Sequence, residues 1–203
     1  MNYLAHAALS YQYPEITIGN LIGEHIRGRH FDHLPNDIAL GVQLHRQIDS
    51  VFDNLPAIIN LRQEFAQGRR RFSGIIIDFW FDHWLANNWD NQLNNQFDQS
   101  LEQFQQTINH WITDHWQWVP DSQKRFLNYL MSQDLFLKYR SMSQITHNVS
   151  LVAKRLKRGE KLHECLEQIK TNYKQPPHDV FLEIFSDMQT MTQTYIRHHN
   201  AIE

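Results

Sequence analysis

The segment "LHRQIDSVFDN", residues 44–54, places His45, Asp49 and Asp53 four residues apart in turn. On an α-helix that spacing stacks the three side chains along one face. His45 and Asp49 then offer an imidazole nitrogen and a carboxylate oxygen to one hard or borderline divalent ion. A second window, "IIIDFWFDHWLA", repeats the separation with Asp78 and Asp82, and His83 follows directly. Asp78 lies between Ile77 and Phe79 in an apolar run, where an unpaired carboxylate costs several kcal/mol. It requires a cation, either a metal ion or an arginine such as Arg46 or Arg62. "NYLAHAA" sets His6 among small and apolar residues, and "GNLIGEHIRG" places Glu24 near glycines that admit a close backbone or ligand. Each residue also has a plainer role open to it. His6 could be a hydrogen-bonded core imidazole, Asp53 a turn cap in "DNLP", and Asp82 a solvated neighbour of a ligand.

The basic residues fall in two runs. "GRRRF" aligns Arg69, Arg70 and Arg71 just ahead of the Asp78 segment, suited to phosphate or an acidic protein. "AKRLKRGEK" supplies Lys154, Arg155, Lys157 and Arg158, which suit a solvated helix end. Trp80, Trp84, Trp111, Trp116 and Trp118 are expected to pack in the core. The sequence has no glycine-rich phosphate loop, nucleophile elbow, cysteine-based zinc motif or nucleic-acid signature.

The elements that must position these groups are helices. Only 7 Gly and 6 Pro punctuate 203 residues, and no Asn-Gly or Asp-Gly turn occurs. "PNDIALGVQLHRQIDSVFDN" opens in N-cap style and spaces Ile38, Val42, Ile48 and Phe52 helically. "PAIINLRQEFAQG" begins on Pro and ends on Gly, the usual helix asymmetry. The triple Ile in "RRRFSGIIIDFWFDHWLANNW" favours a strand locally, but the apolar run is too long for one and reads as a buried helix. Further helices are expected in "FDQSLEQFQQTINHWITDHW", "DSQKRFLNYLMS", "SQITHNVSLVAKRLKRG", "KLHECLEQIKTNY" and "HDVFLEIFSDMQTMTQTYIRHH", with "YKQPPHD" as an interhelical linker. The expectation is one all-α domain, a helical bundle over residues 1–203. A net charge of −3 argues against a bulk polyanion binder. The single cysteine, Cys165, permits no intrachain disulfide and fits a reducing cytoplasm. "MNYLAHAALSYQY" lacks the basic start and apolar run of a signal peptide, and no apolar run is long enough to span a bilayer.

Taken in order, "MNYLAHAALS", "GNLIGEHIRG", "GVQLHRQIDSVFDNLP" and "RRRFSGIIIDFWFDHWLANNW" resemble the acyl carrier protein phosphodiesterase family, also called holo-acyl carrier protein hydrolase. The likeness runs from Met1 to about Trp89, and "FLNYLMSQDLFLKYRSM" is similar to the family's second half. The resemblance implies a helical fold related to HD-type metal-dependent phosphohydrolases. It also implies cleavage of the phosphodiester that joins 4′-phosphopantetheine to a serine of acyl carrier protein. A divalent metal would assist, manganese first, with magnesium, iron(II) or cobalt as alternatives. The family's first His corresponds to His6, its "HxxID" unit to His45 and Asp49, its "DNLP" turn to Asp53, and its "D…DH" unit to Asp78, Asp82 and His83. Where the family has Asp in "GNLLADF", this chain has Glu24, a carboxylate one methylene longer.

The expected chemistry is that of a phosphodiester whose negative charge must be neutralised and whose attacking water must be activated. His45, Asp49 and Asp78 are the expected metal ligands, with Glu24 as a further ligand or general base. His6 or His83 would orient a ligand or protonate the departing serine oxygen. Arg46 and Arg69, Arg70 and Arg71 would hold phosphate or steer the acidic carrier. Two other readings remain at this level. One is a related helical phosphohydrolase acting on a nucleotide or small phosphate ester. The other is a non-catalytic helical interaction module whose buried Asp and His form structural networks.

Overall fold

The computed structural model describes residues 1–28, 30–173 and 176–200. All regular structure among them is helical, as the punctuation and periodicity predict. The long helices are α1 (Tyr3–Ser10), α2 (Pro14–Ile22), α3 (Asn36–Asn54), α4 (Pro56–Gln63) and α5 (Arg70–Asn88). A π-turn at Trp89–Leu93 and the short α6 (Asn94–Phe97) lead to α7 (Leu101–Asp114) and α8 (Asp121–Ser132). The chain closes with α9 (Leu135–Lys138), α10 (Met142–Ala153), α11 (Glu160–Asn172) and α12 (His178–Asn200). The proposed linker "YKQPPHD" includes Lys174 and Gln175, which lie outside the described residues.

Helix α5 is the "RRRFSGIIIDFWFDHWLANNW" segment, and Ile76, Ile77, Phe79, Trp80, Phe81, Trp84 and Leu85 are all buried along it. Side chains buried on every side of a helix override the local strand preference of three isoleucines. Its Phe81 and Trp84 pack against Phe181 and Phe185 of α12, with ring centroids 5.0 to 6.4 Å apart, the spacing of tilted and edge-on aromatic pairs. Of the five tryptophans expected in the core, Trp80 and Trp84 are buried. Trp111, Trp116 and Trp118 are half-buried against it. Helix α7 starts four residues later than the start of its sequence window, because Ser100 and Gln103 form a reciprocal capping box.

Helices α2 and α3 cross in backbone contact. A Cβ on Gly19 would stand 2.0 Å from the carbonyl oxygen of Ile38, and one on Gly41 would stand 2.1 Å from that of Ile16. Two glycines facing each other let the backbones touch. That contact carries the C-terminal half of α3, with His45 and Asp49, past the end of α2. Helix α1 then lies on α2 and α5, and α3 lies between α2 and α12.

A candidate metal centre between three helices

Helix α1 is anchored before it can contribute a ligand. Its Asn2 cap accepts from the amide of Tyr3 at 2.9 Å. The next two first-turn amides, of Leu4 and Ala5, each donate to a carboxylate oxygen of Asp82 at 3.0 Å. These amides have no partner inside their own helix and carry the positive end of its dipole. Asp82 is completely buried, and burial pushes its carboxyl up to about 7 against the pull of the two amides.

Asp78 lies one turn earlier on α5 and faces the same helix. Its Oδ1 is 3.3 Å from the α-amine of Met1, which also lies 3.1 Å from Asp49 Oδ1. Burial alone would depress the amine, but the carboxylates of Asp78 and Asp49 outweigh it and raise it to about 10. Just over a quarter of the Asp78 side chain reaches solvent, yet its Oδ1 is enclosed and the 3.3 Å approach is not aligned as a hydrogen bond. Burial holds the Asp78 carboxyl above its ordinary range. The amine of Met1 is the cation that the structure places beside Asp78. Arg46 instead donates to the carbonyls of Ile26 and Gly28 at 2.7 Å, and Arg62 pairs with Asp53.

His6, His45 and Asp49 converge, each offering a ligand atom within 4.8 Å of the others. The two imidazoles stack with centroids 4.2 Å apart. His6 Nε2 faces Asp49 Oδ1 at 3.1 Å, and His45 Nε2 faces Asp49 Oδ2 at 3.3 Å. The opposite nitrogens have acceptors: His45 Nδ1 the carbonyl of Asn20 at 2.8 Å, and His6 Nδ1 the side-chain oxygen of Asn20 at 2.7 Å. An imidazole nitrogen against a carbonyl oxygen must carry the proton, so in the neutral ring its Nε2 is a bare lone pair. Burial and the neighbouring His6 hold His45 neutral, with its pKa down to about 3. Burial would raise the Asp49 carboxyl, but the hydrogen bond and charge of His6 outweigh it, so Asp49 stays ionised.

With both rings neutral, two lone pairs would point at a carboxylate, an arrangement that is repulsive until a proton on His6 or a cation lies among them. Mixed imidazole and carboxylate donors suit a first-row divalent metal. A cleft of about 20 Å³ borders His6, His45, Asn20, Tyr3 and Glu24. That is room for one water-sized guest. The donor set fits a divalent ion on chemistry and on space. Gly23 shapes one wall: a Cβ there would stand 2.5 Å from the Cβ of His45.

The sequence profile of the acyl carrier protein phosphodiesterase family matches residues 1–188. The chain belongs to that family. The acyl carrier protein phosphodiesterase of Shigella boydii serotype 18 is 32% identical over 176 residues, covering 85% of this chain and 88% of its own length. That of Escherichia coli strain K12 (DH10B) is 31% identical over the same length, with the same coverage. No solved structure matches the chain.

Against the expectations for this family, the structure brings His6 into the cluster beside His45 and Asp49, and joins Asp78 to it through the Met1 amine. Glu24 is exposed at the cleft. His83 lies elsewhere. Its Nδ1 contacts the carbonyl of Tyr139 at 2.7 Å, and it lines a separate groove of about 590 Å³ with Trp84, Asn87, Arg140 and His178. Asp82 turns to the first turn of α1 while its neighbour His83 turns to this groove, so the structure places the two in separate surroundings. Arg69 bonds Glu164 and Gln168, Arg70 donates to the carbonyls of Phe65 and Gln63, and Arg71 lies over the ring of Phe72. Asn20 is missing from the sequence reading. Its signal was there, a buried-type amide in the apolar run "ITIGNLIG", the same kind of polar intrusion that drew attention to Asp78.

Proposed function

We propose that this chain is a divalent-metal phosphodiesterase that cleaves 4′-phosphopantetheine from the serine of holo acyl carrier protein. The supporting observation is the convergence of the His6 and His45 Nε2 atoms on the Asp49 carboxylate, in a member of the acyl carrier protein phosphodiesterase family. His6, His45 and Asp49 would hold the ion, a first-row divalent metal by its mixed imidazole and carboxylate donors, with manganese the one that the family resemblance implies. When bound, the ion supplies positive charge to a phosphoryl oxygen and acidity to water.

The chain's own groups supply the remaining functions. Glu24, at the open side of the cleft, takes the proton of the attacking water. The Tyr3 hydroxyl, kept protonated by burial and by the Glu24 carboxylate, lines the same cleft as a hydrogen-bond donor. The Met1 amine, which also lies against Asp78, helps hold Asp49 ionised and in place. The exposed Arg70 and Arg71 offer a steering field to an acidic carrier surface. The reaction belongs in the cytoplasm, where the one buried thiol, Cys165, needs no partner. Among the described residues, no helix is long and apolar enough to cross a membrane.

The test is direct. The protein is incubated with Mn²⁺ and holo carrier protein, and the carrier is weighed by mass spectrometry. The carrier should lose the mass of its prosthetic group, and His45→Ala should stop the loss while the helical circular dichroism persists. An unchanged carrier mass alongside hydrolysis of small phosphate esters would transfer the activity to another substrate.

A further inference from the structure

Both imidazoles of the cluster are oriented by a single residue, and that residue uses two different carbonyls to do it. Asn20 is completely buried at the end of α2. Its side-chain nitrogen donates to the backbone carbonyl of His6 at 2.8 Å and to Ser10 Oγ at 3.1 Å. A carbonyl can only accept, so the amide cannot be flipped: its NH₂ faces that carbonyl and its Oδ1 faces His6 Nδ1. Ser10 completes the network, since its hydroxyl donates its own proton to the same His6 carbonyl at 3.0 Å. The backbone carbonyl of Asn20 meanwhile receives His45 Nδ1.

We propose that Asn20 is the positioning residue that makes Nε2 the ion-facing nitrogen of both histidines, through its side-chain carbonyl for His6 and its main-chain carbonyl for His45. The proposal rests on the metal-binding reading of the cluster, but its first readout needs neither substrate nor metal. Because one carbonyl is main chain, substitution at position 20 releases one imidazole and leaves the other held. Asn20→Ala removes the acceptor from His6 only. Asn20→Asp keeps an acceptor there and gives up the donors to the His6 carbonyl and Ser10.

The experiment is long-range ¹H–¹⁵N NMR of the imidazoles in metal-free protein, at a pH above the range in which imidazoles titrate. In the unsubstituted chain both rings should carry their proton on Nδ1. In Asn20→Ala, His6 should move toward the Nε2–H form that a free imidazole favours, while His45 stays unchanged. Asn20→Asp should restore Nδ1–H at His6. Mn²⁺ titrated into the same samples should bind Asn20→Ala about 10- to 100-fold more weakly, the usual effect of losing a ligand's hydrogen-bond partner. An unsubstituted chain with either ring protonated on Nε2 would overturn the assignment without any variant, so poor folding of Asn20→Ala cannot shelter it. Equal tautomer changes at both histidines would overturn it too, by showing general loosening. Carrier protein that stays intact in the activity assay, with these tautomers as stated, would count against the substrate and leave Asn20 in its role.

Discussion

Asp49→Asn separates the metal reading from a purely structural one, because the two predict opposite consequences. In the unsubstituted chain, Asp49 Oδ1 and Oδ2 face the Nε2 atoms of His6 and His45 at 3.1 and 3.3 Å, and that of the neutral His45 is a bare lone pair. An asparagine can keep its oxygen on the Met1 amine and turn its NH₂ to His45 Nε2, replacing a repulsive contact with a hydrogen bond of about 1 kcal/mol. That gain offsets the weakened pairing with the amine, so the metal-free variant should melt close to the unsubstituted protein. The metal-dependent part should differ sharply. At Mn²⁺ a hundredfold above its dissociation constant, binding adds about 2.7 kcal/mol of stability. For a chain of this length, at about 2–4 °C per kcal/mol, that raises the melting temperature by about 5–11 °C. Losing the only carboxylate of the three-residue cluster should weaken binding at least a hundredfold. At the same Mn²⁺ concentration, the stabilisation then falls to about 0.4 kcal/mol, a shift of about 1–2 °C. Differential scanning calorimetry with and without Mn²⁺ reads both quantities. A variant retaining the full metal-induced shift would refute the assignment of Asp49 as a ligand.

Gly23→Ala puts a methyl group 2.5 Å from His45 Cβ, so it should displace the imidazole and lower Mn²⁺ affinity about tenfold or more while costing about 1–3 kcal/mol of stability; calorimetric titration and a urea melt measure the two. Gly41→Ala would drive a Cβ to within 2.1 Å of the Ile16 carbonyl, backbone that cannot rotate away, and should lower the urea midpoint further than Gly23→Ala. The Asp82 carboxyl is raised by burial from an ordinary 3.8 to about 7. The folded state therefore holds a proton that the unfolded state releases, and this contribution is full below about pH 4 and lost as pH rises through about 7. The difference in stability between the unsubstituted chain and Asp82→Asn should shrink across that window by up to about 4 kcal/mol, read from urea melts of metal-free protein; a flat difference would show that Asp82 does not titrate there.

How much of this was legible from residues alone depends on the range of the interaction concerned. Helices α3 and α8 follow from periodicity, acidic N-terminal residues and sparse glycine, and α5 from an apolar run too long for a strand, because helix formation is decided within a few turns of chain. The pairing of His45 with Asp49 follows as well, since one helix places residues four apart on the same face. The same rule puts Asp78 and Asp82 together on the side of α5 that meets α1. What a single helix cannot specify is which neighbour it meets. His6 reaches Asp49 across 43 residues, and Asn20 reaches His6 across 14. His6 and Asn20 meet where α1 lies on α2, and α3 brings Asp49 to them where Gly19 and Gly41 let α2 and α3 touch. Of the cations weighed for Asp78, a metal ion or an arginine, Arg46 and Arg62 are engaged elsewhere, and the amine of Met1 lies beside it. Local sequence set the donor types and their faces; packing of α1, α2 and α3 chose the third donor and the nitrogen each imidazole presents, because a hydrogen-bond partner is selected by contact in space rather than by nearness along the chain.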